Sequence, residues 1–109
     1  MSVKHFELDD TGTLAGTALT TSFATLLSMT DDATVLFFFN STDVSVILSI
    51  PSYVMKTKTY TTKQWRVPAG GSFALDGRTN SGSIAKGTIQ IKSVTGAGTS
   101  GEVTINVCR

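Results

Sequence analysis

The chain predicts an all-β fold, a single antiparallel β-sandwich of jelly-roll type, on three observations. Ile89 and Ile91 alternate with Gln90 and Lys92, and Val103, Ile105 and Val107 alternate with Thr104 and Asn106. This period of two places successive side chains on opposite faces of a strand. Runs of this kind recur at close spacing with Gly, Pro, Asn and Asp between them, the pattern of about seven to eight short strands closed as a sandwich or jelly roll, with a small barrel as the alternative. Charged residues make up only 16% of the chain while Ser, Thr and Gly are abundant, a mix that suits half-buried strands and tight turns better than solvent-facing helices.

At 109 residues there is room for one domain, burying roughly two thirds of its unfolded surface. The first twenty residues, broken by Thr11-Gly12-Thr13 and Gly16-Thr17, read as an irregular N-terminal arm or weak edge strands, and residues 21–109 as the sandwich. Between Ser22 and Met29, Phe23, Leu26 and Leu27 sit at helical spacing in a short stretch, which leaves a short strand or a single helical turn. Asp31-Asp32 marks a turn before the apolar run Ala33 to Phe39. Asn40-Ser41-Thr42-Asp43 then supplies residues that bond their own backbone, and Val44 to Ile50 resumes alternation, so residues 33–50 read as a hairpin. A four-residue loop sets Phe39 against Val44, Phe37 against Val46 and Val35 against Leu48 on the core face. The other face then carries Leu36, Phe38 and Ile47, apolar side chains where an antiparallel sheet usually meets water.

Residues 51–63 open with a proline and show no clear period, which predicts an exposed loop. Trp65 and Val67 point inward, Pro68-Ala69-Gly70-Gly71 turns the chain, and Phe73 and Leu75 share a face. A second polar loop, 76–83, precedes Ile84, and the glycines of Thr95 to Gly101 let 87–107 fold back as a closing hairpin.

The formal charge of +1 gives no long-range field toward nucleic acid or an anionic membrane. The first seven residues contain no apolar leader core, and no stretch approaches about 18 consecutive apolar residues, so the expectation is a protein made in a cytoplasm without a membrane span. A single cysteine, Cys108, allows no intrachain disulfide, and nothing near it in sequence would activate its thiol.

General acid–base chemistry would have to use the one histidine, His5. Asp9-Asp10, Asp31-Asp32, Asp43 and Asp76 could offer oxygen ligands to calcium, but their spacing fits no calcium loop and suits turn-forming Asp in water. One Cys and one His cannot fill a zinc site. The glycine pairs neither open a helix nor precede Lys-Ser/Thr, so they are turn glycines. No catalytic residue, metal or cofactor is expected. Tyr53, Lys56, Lys58, Tyr60, Lys63 and Arg66, near Trp65, interleave aromatics with cations and could stack on a sugar or track a single strand. A solvated loop beside a buried tryptophan is the simpler reading of the same residues.

The runs F-N-S-T-D-V-S-V at 39–46, W-R-V-P-A-G-G-S-F-A-L-D-G-R-T-N at 65–80, A-K-G-T-I-Q-I-K-S at 85–93 and T-S-G-E-V-T-I-N-V at 99–107 resemble small virion proteins of tailed bacteriophages. The resemblance covers most of the chain from residue 33 and departs at 51–63. It implies a β-sandwich present in many copies on the particle, foremost as a head decoration protein, with a collar or tail component as the alternative. It also implies homo-oligomers and contacts with capsid, neck or tail proteins, with the mature protein residing in the virion. Within it, Leu36, Phe38 and Ile47 are the expected interface. The competing expectation, from a different class, is a module that holds a host glycan through Tyr53, Tyr60, Trp65 and the nearby lysines.

Overall fold

The computed structural model describes residues 8–54, 56–76 and 82–108. The strands are β1 Leu8–Ala15, β2 Ala24–Met29, β3 Val35–Asn40, β4 Val46–Val54, β5 Thr59–Val67, β6 Ser72–Asp76, β7 Gly82–Ile84, β8 Gly87–Ser93 and β9 Glu102–Cys108. They form two antiparallel sheets, one ordered β1-β9-β3-β6 (sheet A) and the other β2-β8-β4-β5, with β7 also paired to β4 (sheet B). Successive strands cross between the layers at most connections, giving the jelly-roll form of the sandwich.

Alternation locates the core as expected in β8 and β9, but not in β3, where Leu36 and Phe38 are inward instead of Phe37 and Phe39. Val103, Ile105 and Val107 of β9 meet Ile89 and Ile91 of β8 across the sandwich, joined by Leu36 and Phe38 from β3 and by Val46, Leu48 and Ile50 from β4. All ten are 2% exposed or less. Trp65 points inward and stacks on Phe73 at 6.0 Å, and Phe73 in turn contacts Phe38, so these rings close the side of the core between β5 and β6. Val67 is buried, and Leu75 packs against the same cluster.

Partner choice differs from expectation in two places, for one reason. Neither 33–50 nor 87–107 is a hairpin: β3 lies in sheet A and β4 in sheet B, and β8 and β9 are divided the same way. A loop of a few residues can reach the neighbouring strand or cross the gap of about 10 Å to the facing sheet, and period two is the same in both cases. The 41–45 connection crosses because Asn40 points into the core. Its Nδ2 donates to the carbonyls of Val44 (2.9 Å), Val67 (3.3 Å) and Pro68 (3.0 Å). Its Oδ1 accepts from the Thr42 N–H (3.0 Å) and hydroxyl (2.6 Å). The Asn40 N–H donates to Gly71 O at 2.8 Å, so one side chain and its amide tie the β3–β4 crossing to the β5–β6 corner.

Where 51–63 was expected to be a loop, residues 51–54 and 59–63 are strand. β4 continues to Val54, turns, and returns as β5 in unbroken register from Tyr53 opposite Tyr60 to Val46 opposite Val67. Pro51 is accepted because the other flank of β4 changes partner there: β8 pairs it through Ser49 and β7 from Ser52 onward. In the gap the Pro51 carbonyl accepts from Ala85 N at 3.0 Å, and the missing proline N–H leaves no ladder bond broken.

Near the N-terminus, β1 pairs with β9 from Leu8 to Ala15 as an edge strand of sheet A, followed by a 3₁₀ turn at Gly16–Ala18. The strand alternative holds for 24–29, which pair with β8. His5 and residues 77–81 of the second polar loop lie outside the described residues.

The 95–101 loop is held by Asp43. Its Oδ2 accepts from the Thr99 hydroxyl (2.5 Å) and its Oδ1 from the Thr99 N–H (2.9 Å). These bonds, the hydroxyl's foremost, hold the Asp43 carboxyl below its ordinary value of 3.8. A carboxylate depressed on folding contributes stability that is present above its unfolded pKa and lost as pH falls through the folded one. Asp43→Asn is therefore expected to melt below wild type at pH 7, with the gap closing as pH falls below the ordinary carboxylate value of 3.8. A gap that stays constant below that value in parallel thermal melts would contradict this role.

Candidate contact surfaces

The expected interface does not form. Leu36 and Phe38 are fully buried between the sheets, and Ile47 is half-buried on the outer side of sheet B, flanked by Lys92 and Arg66. The three belong to opposite sheets and share no surface. The error follows from the assumed hairpin, which paired Phe37 with Val46 and so set β3 in the wrong phase. Phe37 and Phe39 face outward instead, at 38% and 48% exposure. Five apolar residues in a row carry no alternation of their own, so only the inward Asn40 at the end of β3 marks the phase.

Around these two rings the outer face of sheet A is built in cross-strand rows. One row runs Thr13, Thr104, Phe39, Ser72, and the next runs Thr11, Asn106, Phe37, Ala74. None of the eight positions carries a charge. Thr11 Oγ1 donates to Asn106 Oδ1 at 3.0 Å, which fastens the edge strand to its neighbour on this face. Two phenylalanines two residues apart on one strand stand about 7 Å from each other. Water meets these two uncharged rows, with an aromatic pair beside their centre line, and the flanking rows of the same face carry Asp76 and Glu102.

The aromatic and cationic residues of 53–66 are only partly brought together. Tyr53 and Tyr60 face each other across β4 and β5, ring centroids 4.9 Å apart in an edge-to-face arrangement, and Tyr60 is 69% exposed. Lys56 and Lys58 are exposed in the adjoining turn, where Lys58 takes a positive φ of 56°. Lys63 opposes Ile50, an inward position, so it belongs to the other face of the strand. Arg66 shares the Tyr60 face but lies six residues along β5, about 20 Å away. Trp65 is turned to the core and supplies no exposed platform.

Asp32 Oδ1 accepts from Lys86 N at 2.8 Å, and Asp43 serves the 95–101 loop, so both work as loop acceptors. Among the described residues no three His, Cys, Asp or Glu side chains gather as a metal site. Also among the described residues, no helix is long and apolar enough to cross a membrane.

No family model matches the chain, and no curated protein matches it in sequence. Among solved structures it is similar to PirA, with a TM-score of 0.54 at 13% identity, covering 97% of this chain and 99% of that one. It is also similar to a structure from the disulfide-linked pili of Bacillus endospore appendages, with a TM-score of 0.52 at 12% identity, covering 99% of this chain and 92% of that one. At such identities the likeness is one of fold, and it extends over essentially the whole β-sandwich.

Proposed function

We propose that this chain is a structural subunit that assembles through the outer face of sheet A, in the setting its motifs resemble: a multi-copy protein of a phage virion, foremost a head decoration protein. The observation that carries this reading is the pair Phe37 and Phe39, partly exposed side by side among eight uncharged positions of the outer face of sheet A. Aromatic side chains at the centre of a contact supply most of its energy once water is excluded, and the surrounding hydroxyl and amide groups form a rim that tolerates either solvent or a partner. A rigid two-layer scaffold presents this face without ordering cost, because β3 is held between β6 and β9 and cannot rearrange on contact.

The occupant is a second copy of the same face or an uncharged face of a neighbouring virion protein. Sheets stacked face to face lie about 10 Å apart, which two outward phenylalanines and small Ser, Thr and Ala side chains fill. Sedimentation velocity over a concentration series tests the first case. Wild type is expected to associate, and Phe37→Ser with Phe39→Ser to remain monomeric while still folding cooperatively, since neither ring belongs to the buried core; a double variant that associates like wild type would contradict this.

A further inference from the structure

We propose that the opposite surface, the outer face of sheet B, carries a carbohydrate-binding shelf centred on Tyr60, with uncharged pyranose units as its ligand. Tyr60 is the most exposed large apolar side chain among the described residues, at 69%. Its ring is fixed: Tyr53 sits directly opposite in the β4–β5 register and meets it edge-on at 63°. An aromatic face held out to solvent by a second ring is a ready stacking surface, since its orientation is set before any ligand arrives.

Beside it lies a shallow hollow of about 680 Å³ lined by Pro51, Tyr60, Thr61, Thr62 and Lys86. The Pro51 ring supplies a second apolar surface one row from the tyrosines, and Thr62 stands opposite it. The next row continues with Ser49 between Gln64 and Gln90. A pyranose ring needs this combination: an apolar patch for its C–H face and groups that both donate and accept for its hydroxyls. Thr62, Gln64 and Gln90 offer both roles, and Lys86 adds a donor at the margin.

The charge distribution favours a sugar over a nucleic-acid strand. Single-stranded nucleic acid also stacks on tyrosines but requires a cationic groove along its backbone. Of the cations in this region, Lys56 and Lys58 lie in the adjoining turn, Lys86 at the margin of the hollow, Lys63 on the other face of β5 and Arg66 far along the strand, so the two rows leading from Tyr60, Pro51–Thr62 and Ser49–Gln64–Gln90, carry no charge. The shelf and the Phe37–Phe39 face lie on opposite sides of the sandwich, so a subunit docked through sheet A keeps the shelf in solvent.

A glycan array of neutral and acidic oligosaccharides, followed by titration calorimetry on any hit, tests the proposal with wild type, Tyr60→Ala and the Phe37→Ser, Phe39→Ser double variant. Wild type is expected to bind at least one neutral oligosaccharide, and Tyr60→Ala to weaken it tenfold or more with the melting temperature unchanged. The double variant should bind like wild type, which separates failure of the shelf from failure of the assembly face. Absence of binding to every neutral oligosaccharide, preference for an acidic one or for a single-stranded oligonucleotide, or equal binding by Tyr60→Ala would overturn it.

Discussion

Asn40→Leu is expected to remove a large share of the stability of this domain. Asn40 is 1% exposed, and its side chain serves three carbonyls, from Val44, Val67 and Pro68, as well as the N–H and hydroxyl of Thr42. Leucine has nearly the same volume but strips the Thr42 N–H and the Val67 carbonyl of this partner at the junction of two crossings, and leaves the Val44 and Pro68 carbonyls with the Thr42 hydroxyl and the Gly71 N–H alone. Each buried polar group left unsatisfied costs about 1–3 kcal/mol, so even with local rearrangement the sum is on the order of 3–6 kcal/mol. Against a total of about 5–15 kcal/mol for a domain this size, that is a large share. Melting should fall by at least about 12 °C, at roughly 4 °C per kcal/mol. Asn40→Asp should fare no better, because a carboxylate cannot donate to three carbonyls. Thermal and urea denaturation measure the effect, and a fall of only a few degrees would show that the crossings do not depend on this side chain.

Gly101→Ala is expected to abolish folding, while Gly70→Ala is only mildly destabilising, although the two glycines share nearly the same φ of +76° and +75°. The difference is space. A Cβ on Gly101 would lie 2.0 Å from the Ser41 carbonyl oxygen and 2.7 Å from its carbon, both backbone atoms of the β3–β4 crossing, whereas a Cβ on Gly70 meets nothing within 4 Å. Gly101 O also accepts from Gly16 N at 2.9 Å, so moving it loosens the link to β1 as well. Gly70→Ala carries only the left-handed backbone penalty of about 1–2 kcal/mol. Soluble yield and melting of the two variants side by side separate steric from conformational cost. Equal stabilities would mean that the close approach at Gly101 relaxes freely.

Both predictions rest on the crossings between layers, which were the part of the fold least legible in the sequence. The buried faces of β8 and β9 were legible, because Ile89, Ile91, Val103, Ile105 and Val107 alternate with polar residues and only one face of each strand is dry. Which strand each would pair with was not, since the 94–101 and 41–45 connections are long enough to reach either sheet. In β3 even the face was hidden: Val35 to Phe39 are apolar in both phases, and the assumed pairing with β4 reversed them, placing Leu36 and Phe38 outside and Phe37 and Phe39 inside. Pro51 hid the β4–β5 hairpin in a similar way. A proline argues against a central strand unless the neighbouring strand breaks at the same residue, and the handover from β8 to β7 is visible only in three dimensions. Tyr53 and Tyr60 were therefore recognisable as aromatic candidates, but not as a facing pair.

The proposal of an apolar contact surface rests, after this correction, on different residues. A charge at Leu36 would enter the core and unfold the chain, whereas changes at Phe37 and Phe39 leave the packing intact. That separation makes the central claim testable in the particle. Quantitative mass spectrometry of purified virions, produced with wild type or with the Phe37→Ser, Phe39→Ser variant, should find wild type at hundreds of copies per particle and the variant absent or reduced at least tenfold. Particles that lack the wild-type protein, or that take up the folded double variant at the wild-type level, would contradict it.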